Sequence, residues 1–196
     1  MTIILLLGVV HDPLSIHPSR GQGFRDRVRC DSLIQLGHQV FTLDDKHDDT
    51  RLPTHCQANF SNPRRMLASV FRRWGHNIRF DQIHLDYFFS PVGWARTRWN
   101  IAFFRDTLPA LTSLLSPSGS IWLPYNLVVH DMIASFAHLL QNHFTSHLIH
   151  NPFDSLLFLA TQRVELQLLR CPDNITNATQ LPHLLHTPFL VLTTWS

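Results

Sequence analysis

A chain of 196 residues, 44% hydrophobic and 11% aromatic, has apolar side chains enough for the core of one ordinary domain. Its net charge of +2 is too small to point to a nucleic-acid partner by itself. No apolar run approaches the length of a membrane-spanning helix, which argues against a membrane role.

The charged residues are unevenly chosen, with fifteen Arg against only Lys46 and thirteen Asp against only Glu165. Together with the plentiful His, Leu and Pro, this pattern reads as a nucleotide bias of the coding strand. The histidines therefore carry little weight as metal ligands. Cys30, Cys56 and Cys171 are widely spaced and form no Cys-x-x-Cys pair, so neither a disulfide framework nor a zinc site is expected. An intracellular, reducing compartment follows, with cytoplasm and organelle matrix equally compatible.

Ile3 to Val10 is a near-continuous aliphatic run, the mark of a strand buried on both faces of a parallel sheet rather than of a signal peptide. A polar loop with Gly21 and Gly23 follows. Val28, Leu33 and Leu36 then set a helix from about Arg25 to Leu36, ended by Gly37 as a left-handed cap. His38 to Asp44 is a second strand ending in an acid. His55 to Phe60 makes a short third strand. Pro63 to Trp74 is a helix with Met66, Leu67, Val70 and Phe71 on one side and Arg64, Arg65, Arg72 and Arg73 largely elsewhere.

Gln82 to Asp86 is the fourth strand, and a helix runs from about Ile101 to Leu115. A Ser-Pro-Ser-Gly turn leads into a fifth strand at Ile121 to Leu123. Asn126 to His143 is helical and Ser146 to His150 a short strand. Val164 to Leu169 and Pro188 to Thr193 complete the set as an antiparallel C-terminal edge. The sum is a single α/β domain over residues 1–196, a doubly wound, Rossmann-like and mostly parallel sheet.

In such a sheet, ligands bind at the carboxyl ends of the strands. The stretch Asp86-Tyr87-Phe88-Phe89-Ser90-Pro91 delivers an acid, aromatics and a proline to that rim. Strand, acid, helix, Pro-Ser-Gly turn and strand, from Phe80 to Pro124, is the order in which class I S-adenosylmethionine-dependent methyltransferases arrange their central segments. The chain resembles that family most clearly here, and more weakly back to Ile3.

The resemblance implies a Rossmann-like methyltransferase that binds S-adenosylmethionine. It maps cofactor contacts to Gly8, His11, Gly21 and Gly23, places Asp44 on the ribose hydroxyls, and sets Asn59 and Phe60 beside the adenine. It also turns Asp86, Tyr87, Phe88 and Pro91 toward the methyl donor and its acceptor. A carboxylate suits two hydroxyls because it offers two acceptors. Transfer from a sulfonium is an in-line displacement, for which the protein mainly positions reactants and excludes water. Tyr87 and Phe88 stand where an adenine-N6 methyltransferase would carry prolines, so that substrate is not implied.

The residues leave other readings open. Trp94, Arg96 and Arg98 in a loop before a helix offer rings and guanidiniums that stack bases and bind phosphate. With Arg20, Arg25, Arg27 and Arg29, they allow a binding module that keeps the fold without the reaction, in a protein or RNA–protein assembly. His and Asp pairs at strand ends, such as His84 with Asp86, allow a metal-dependent phosphoester hydrolase. No spacing fixes a metal site, and the methyl acceptor, a nucleobase or a small molecule, stays undetermined.

Overall fold

The computed structural model describes residues 1–7, 30–31, 33–44, 53–60, 62–85, 101–124, 127–149 and 189–194. Among the described residues, seven strands form one sheet: β1 (Ile3–Leu7), β2 (Gln39–Asp44), β3 (His55–Gln57), β4 (Phe80–Leu85), β5 (Leu115–Pro124), β6 (Phe144–Ile149) and β7 (Phe189–Thr194). Their order is β3-β2-β1-β4-β5-β7-β6. The pairings from β3 to β5 are all parallel, and β7 pairs antiparallel with both β5 and β6. This is a Rossmann-like doubly wound α/β sheet. The chain reverses direction across the sheet between β1 and β4, the switch point of such folds.

The aliphatic run of β1 is explained by its two faces. Leu5 and Leu7 join the larger core with Phe41, Phe80 and Ile121, whereas Ile4 and Leu6 pack in a smaller one with Cys30, Leu33 and Val40. A strand buried on both sides has no place for polar alternation. Residues 30–31 and 33–35 are helical. Their end is a Schellman turn, with the His38 amide donating to the Leu33 carbonyl, the Gly37 amide to Ile34, and Gly37 at φ +86°.

The helix Pro63–Trp74 begins where expected. Asn62 accepts from the Arg65 amide at 3.1 Å, and Pro63 follows in the first helical position. Met66 and Val70 are buried against the larger core, with Leu67, Phe71 and Trp74 beside them.

Several boundaries differ from the sequence expectation. β4 starts at Phe80, and β3 stops at Gln57. The Ser-Pro-Ser-Gly segment is not a turn before β5. It is a bulge inside β5, where the pairing with β4 jumps from Phe80–Leu115 to Gln82–Ser120 and Ser118 takes φ 66°. The helix expected over 101–115 is composite, with a π segment at Phe103–Thr107, an α turn at Leu108–Ala110 and a 3-10 segment at Leu111–Leu114. Its exposed Arg105 donates to Asp106 through Nε at 2.8 Å and Nη2 at 2.7 Å. Those hydrogen bonds hold the Asp106 carboxyl below its usual range against a smaller opposing effect of burial.

The helix Leu127–Leu140 is interrupted at Phe136, which has φ −113° and ψ 15°. At the C-terminal edge the antiparallel strand lies one place inside, with β6 outermost. The strand expected at Val164 to Leu169 lies outside the described residues. Among the described residues, no helix is long and apolar enough to cross a membrane.

Candidate functional site

The carboxyl ends of β2 and β3 bring two of the expected residues together. Asp44 is the last residue of β2, pairs with Gln57 of β3, and is buried at 3% exposure. Its carbonyl accepts from the Ala58 amide at 2.8 Å, which fastens the chain leaving β3 beside the end of β2. Asn59, the next residue, is exposed at the rim. Its carbonyl accepts from the Asn62 amide at 3.3 Å, a turn that leads into the helix Pro63–Trp74.

Phe60 stands differently from its neighbour. Its ring belongs to the larger core at 2% exposure, and its carbonyl accepts from the Thr107 hydroxyl at 2.6 Å. The structure therefore places the Phe60 ring inside the protein, with Asn59 alone of the pair open at the surface.

Side chains alternate across the sheet, so Asp44 shares a face with Thr42. One level below the rim, Thr42 Oγ1 and His55 Nδ1 are hydrogen-bonded at 2.8 Å, both buried. This pair ties β2 to β3 under Asp44. Sequence reasoning missed it, although Thr42 and His55 lie at the right alternation to share a face once the register is known. His84 is likewise a buried structural residue, sharing a 2.9 Å hydrogen bond with Gln82 and stacking on Trp122 at 5.6 Å between ring centroids.

Gly8, His11, Gly21, Gly23, Asp86, Tyr87, Phe88, Pro91, Trp94, Arg96 and Arg98 lie outside the described residues. In sequence, Gly8 follows Leu7 and Asp86 follows Leu85, and those two leucines are register partners flanking the switch point. Among the described residues, no group of three or more His, Cys, Asp or Glu side chains could hold a metal ion.

Strand order and rim define the class, a Rossmann-like, doubly wound α/β sheet. No family model matches the chain, and no curated protein does. Among solved structures, it is similar to phosphoethanolamine N-methyltransferase 2 of Haemonchus contortus, in complex with S-adenosyl-L-methionine, at 12% identity and TM-score 0.36. That match covers 100% of this chain and 49% of the other, so this chain spans about half the length of that one. The cyclopropane synthase MmaA2 of Mycobacterium tuberculosis matches at 12% identity and TM-score 0.38, over 98% of this chain and 77% of that one. Geranyl diphosphate C-methyltransferase of Streptomyces coelicolor A3(2) matches at 8% identity and TM-score 0.38, over 99% and 73% of the two chains. Likeness at this level assigns neither ligand nor reaction.

Proposed function

We propose that this chain is a methyltransferase that binds S-adenosylmethionine, with the adenosine half of the cofactor over the carboxyl ends of β2 and β3. The observation that carries this reading is the pairing, at one strand-end rim, of a buried carboxylate, Asp44, with an exposed amide, Asn59. A carboxylate offers two acceptors to vicinal ribose hydroxyls, and a carboxamide offers a donor and an acceptor to the edge of an adenine. The residues present fit the group.

When bound, S-adenosylmethionine supplies an electrophilic methyl on a sulfonium. The chain's own part is positional. Asp44 orients the ribose, Asn59 selects the base, and the Thr42–His55 pair beneath keeps the two strand ends in register. Asp86, Tyr87, Phe88 and Pro91 follow β4 in sequence and are proposed to face the acceptor. Gly8, His11, Gly21 and Gly23 are proposed on the remaining side of the cofactor.

Calorimetric titration with S-adenosylhomocysteine tests the assignment. The wild-type protein should bind saturably, and Asp44→Asn should weaken binding by about 1–3 kcal/mol, a factor of roughly five to 150. Asn59→Ala, at an exposed position, should weaken binding with little change in melting temperature. Absence of any binding heat at millimolar ligand refutes the reading. Equal affinities for the wild type and both variants would move the site elsewhere.

A further inference from the structure

The helix Pro63–Trp74 and the turn after it carry a concentration of exposed cations. Residues 62–79 hold Arg64, Arg65, Arg72, Arg73 and Arg79, five of the fifteen Arg of the chain, and neither Asp nor Glu. All five are exposed. Two are engaged with backbone: Arg73 Nε donates to the His55 carbonyl at 3.1 Å, and Arg79 Nη1 to the carbonyls of His76 and Ile78 at 3.0 and 2.7 Å. Arg64, Arg65 and Arg72 make no side-chain hydrogen bond or ion pair among the described residues.

Helical spacing sets these groups in two adjacent rows, Arg64-Ala68-Arg72 and Arg65-Ser69-Arg73. Arg64 and Arg65 occupy the first turn, which holds no acid. The helix dipole there favours anions, so two cations leave that end electrostatically unbalanced until a negative group arrives. Beyond the helix, the exposed His76 ring lies stacked on Phe71 at 5.0 Å between centroids and 29° between planes. The patch thus joins a double row of guanidiniums to an open, flat ring.

We propose that residues 62–79 bind a single-stranded polynucleotide, with the guanidiniums on its phosphates and the His76 ring as a stacking surface for a base. A phospholipid surface is the poorer match. The apolar side of the helix is buried in the core, and only Ala68 and Ser69 lie between the arginines within the two rows, so nothing here enters an acyl layer. The inference is independent of cofactor binding at the rim.

Fluorescence anisotropy with a labelled RNA of about twelve nucleotides, measured across a salt series, provides the test. The wild type should bind, with affinity falling as salt rises. Combined Arg64→Gln, Arg65→Gln and Arg72→Gln should weaken binding and reduce the slope of log affinity against log salt by about 2, at roughly 0.7 for each phosphate no longer neutralised. His76→Ala should weaken binding while leaving that slope unchanged. Melting curves should show the variants folded, since the three arginines make no side-chain bonds among the described residues. No binding by the wild type, or a slope unaltered by the triple variant, overturns the proposal. Displacement of the RNA by anionic phospholipid vesicles at equal charge overturns it in favour of a membrane surface.

Discussion

Gly119 shows how one missing side chain permits a strand irregularity. A Cβ placed there would lie 2.9 Å from the Ser116 carbonyl oxygen, 3.0 Å from that of Phe80 and 3.1 Å from the Leu115 Cβ. Two of these neighbours are backbone atoms of paired strands, so they cannot rotate away. Beside the bulge, Asp81 accepts from the Ile3 amide and from the Ser116 hydroxyl, each at 2.8 Å. One carboxylate thereby joins β1, β4 and β5 where the bulge is crowded. Gly119→Ala should destabilise the protein by about 1–3 kcal/mol through overpacking. Gly37→Ala meets open space at a positive φ, and its cost of about 1 kcal/mol comes from backbone conformation alone. Urea midpoints should rank Gly119→Ala clearly below Gly37→Ala, and equal midpoints would mean that the bulge yields.

The composite helix illustrates an element whose local chemistry is written in the sequence but whose consequence is not. Pro109 lacks an amide, and its ring would crowd the carbonyl four residues back. The turn before it widens accordingly, with the Leu108 amide donating to Phe103 five residues earlier, and the end tightens to 3-10 geometry. Thr107 sits on this widened turn, fully buried, and its hydroxyl holds the Phe60 carbonyl across 47 residues of chain. Thr107→Val keeps the shape and removes the donor, which should cost about 1–3 kcal/mol and speed hydrogen exchange at the Asn62 amide, bonded to Asn59. Thr107→Ser should restore slow exchange, and unchanged exchange in the valine variant would separate Thr107 from the Asn59 turn. By contrast, the helix Pro63–Trp74 was legible to its ends, because Asn62, Pro63 and Gly75 mark its boundaries by local preference. Asp44 was legible as the polar residue that ends an apolar strand, whereas Asn59 lies two residues beyond the end of β3. The burial of Phe60 was not legible, since in sequence a ring after a strand serves a core or a ligand equally well.

At the scale of the whole sheet, the least legible feature is the position of β7, because strand order is a matter of non-local pairing that no window of sequence contains. A short apolar run, Phe189 to Leu192, marks Pro188 to Thr193 as a strand, yet nothing in it says that it inserts between β5 and β6. The insertion has an energetic consequence. Among the described residues, β6 joins the sheet through β7 alone, whereas β1 is paired on both edges and packed on both faces. Local opening free energies follow such differences in support. Leu192, on β7, is 1% exposed in the larger core, and Leu192→Ala should cost about 2–5 kcal/mol. Hydrogen exchange should show that cost unevenly, with the amides of β6 and β7 accelerated more than those of β1 and β4. Uniform acceleration would mean that the sheet opens only as one unit, with the β7 insertion as strongly coupled to the rim as β1 itself.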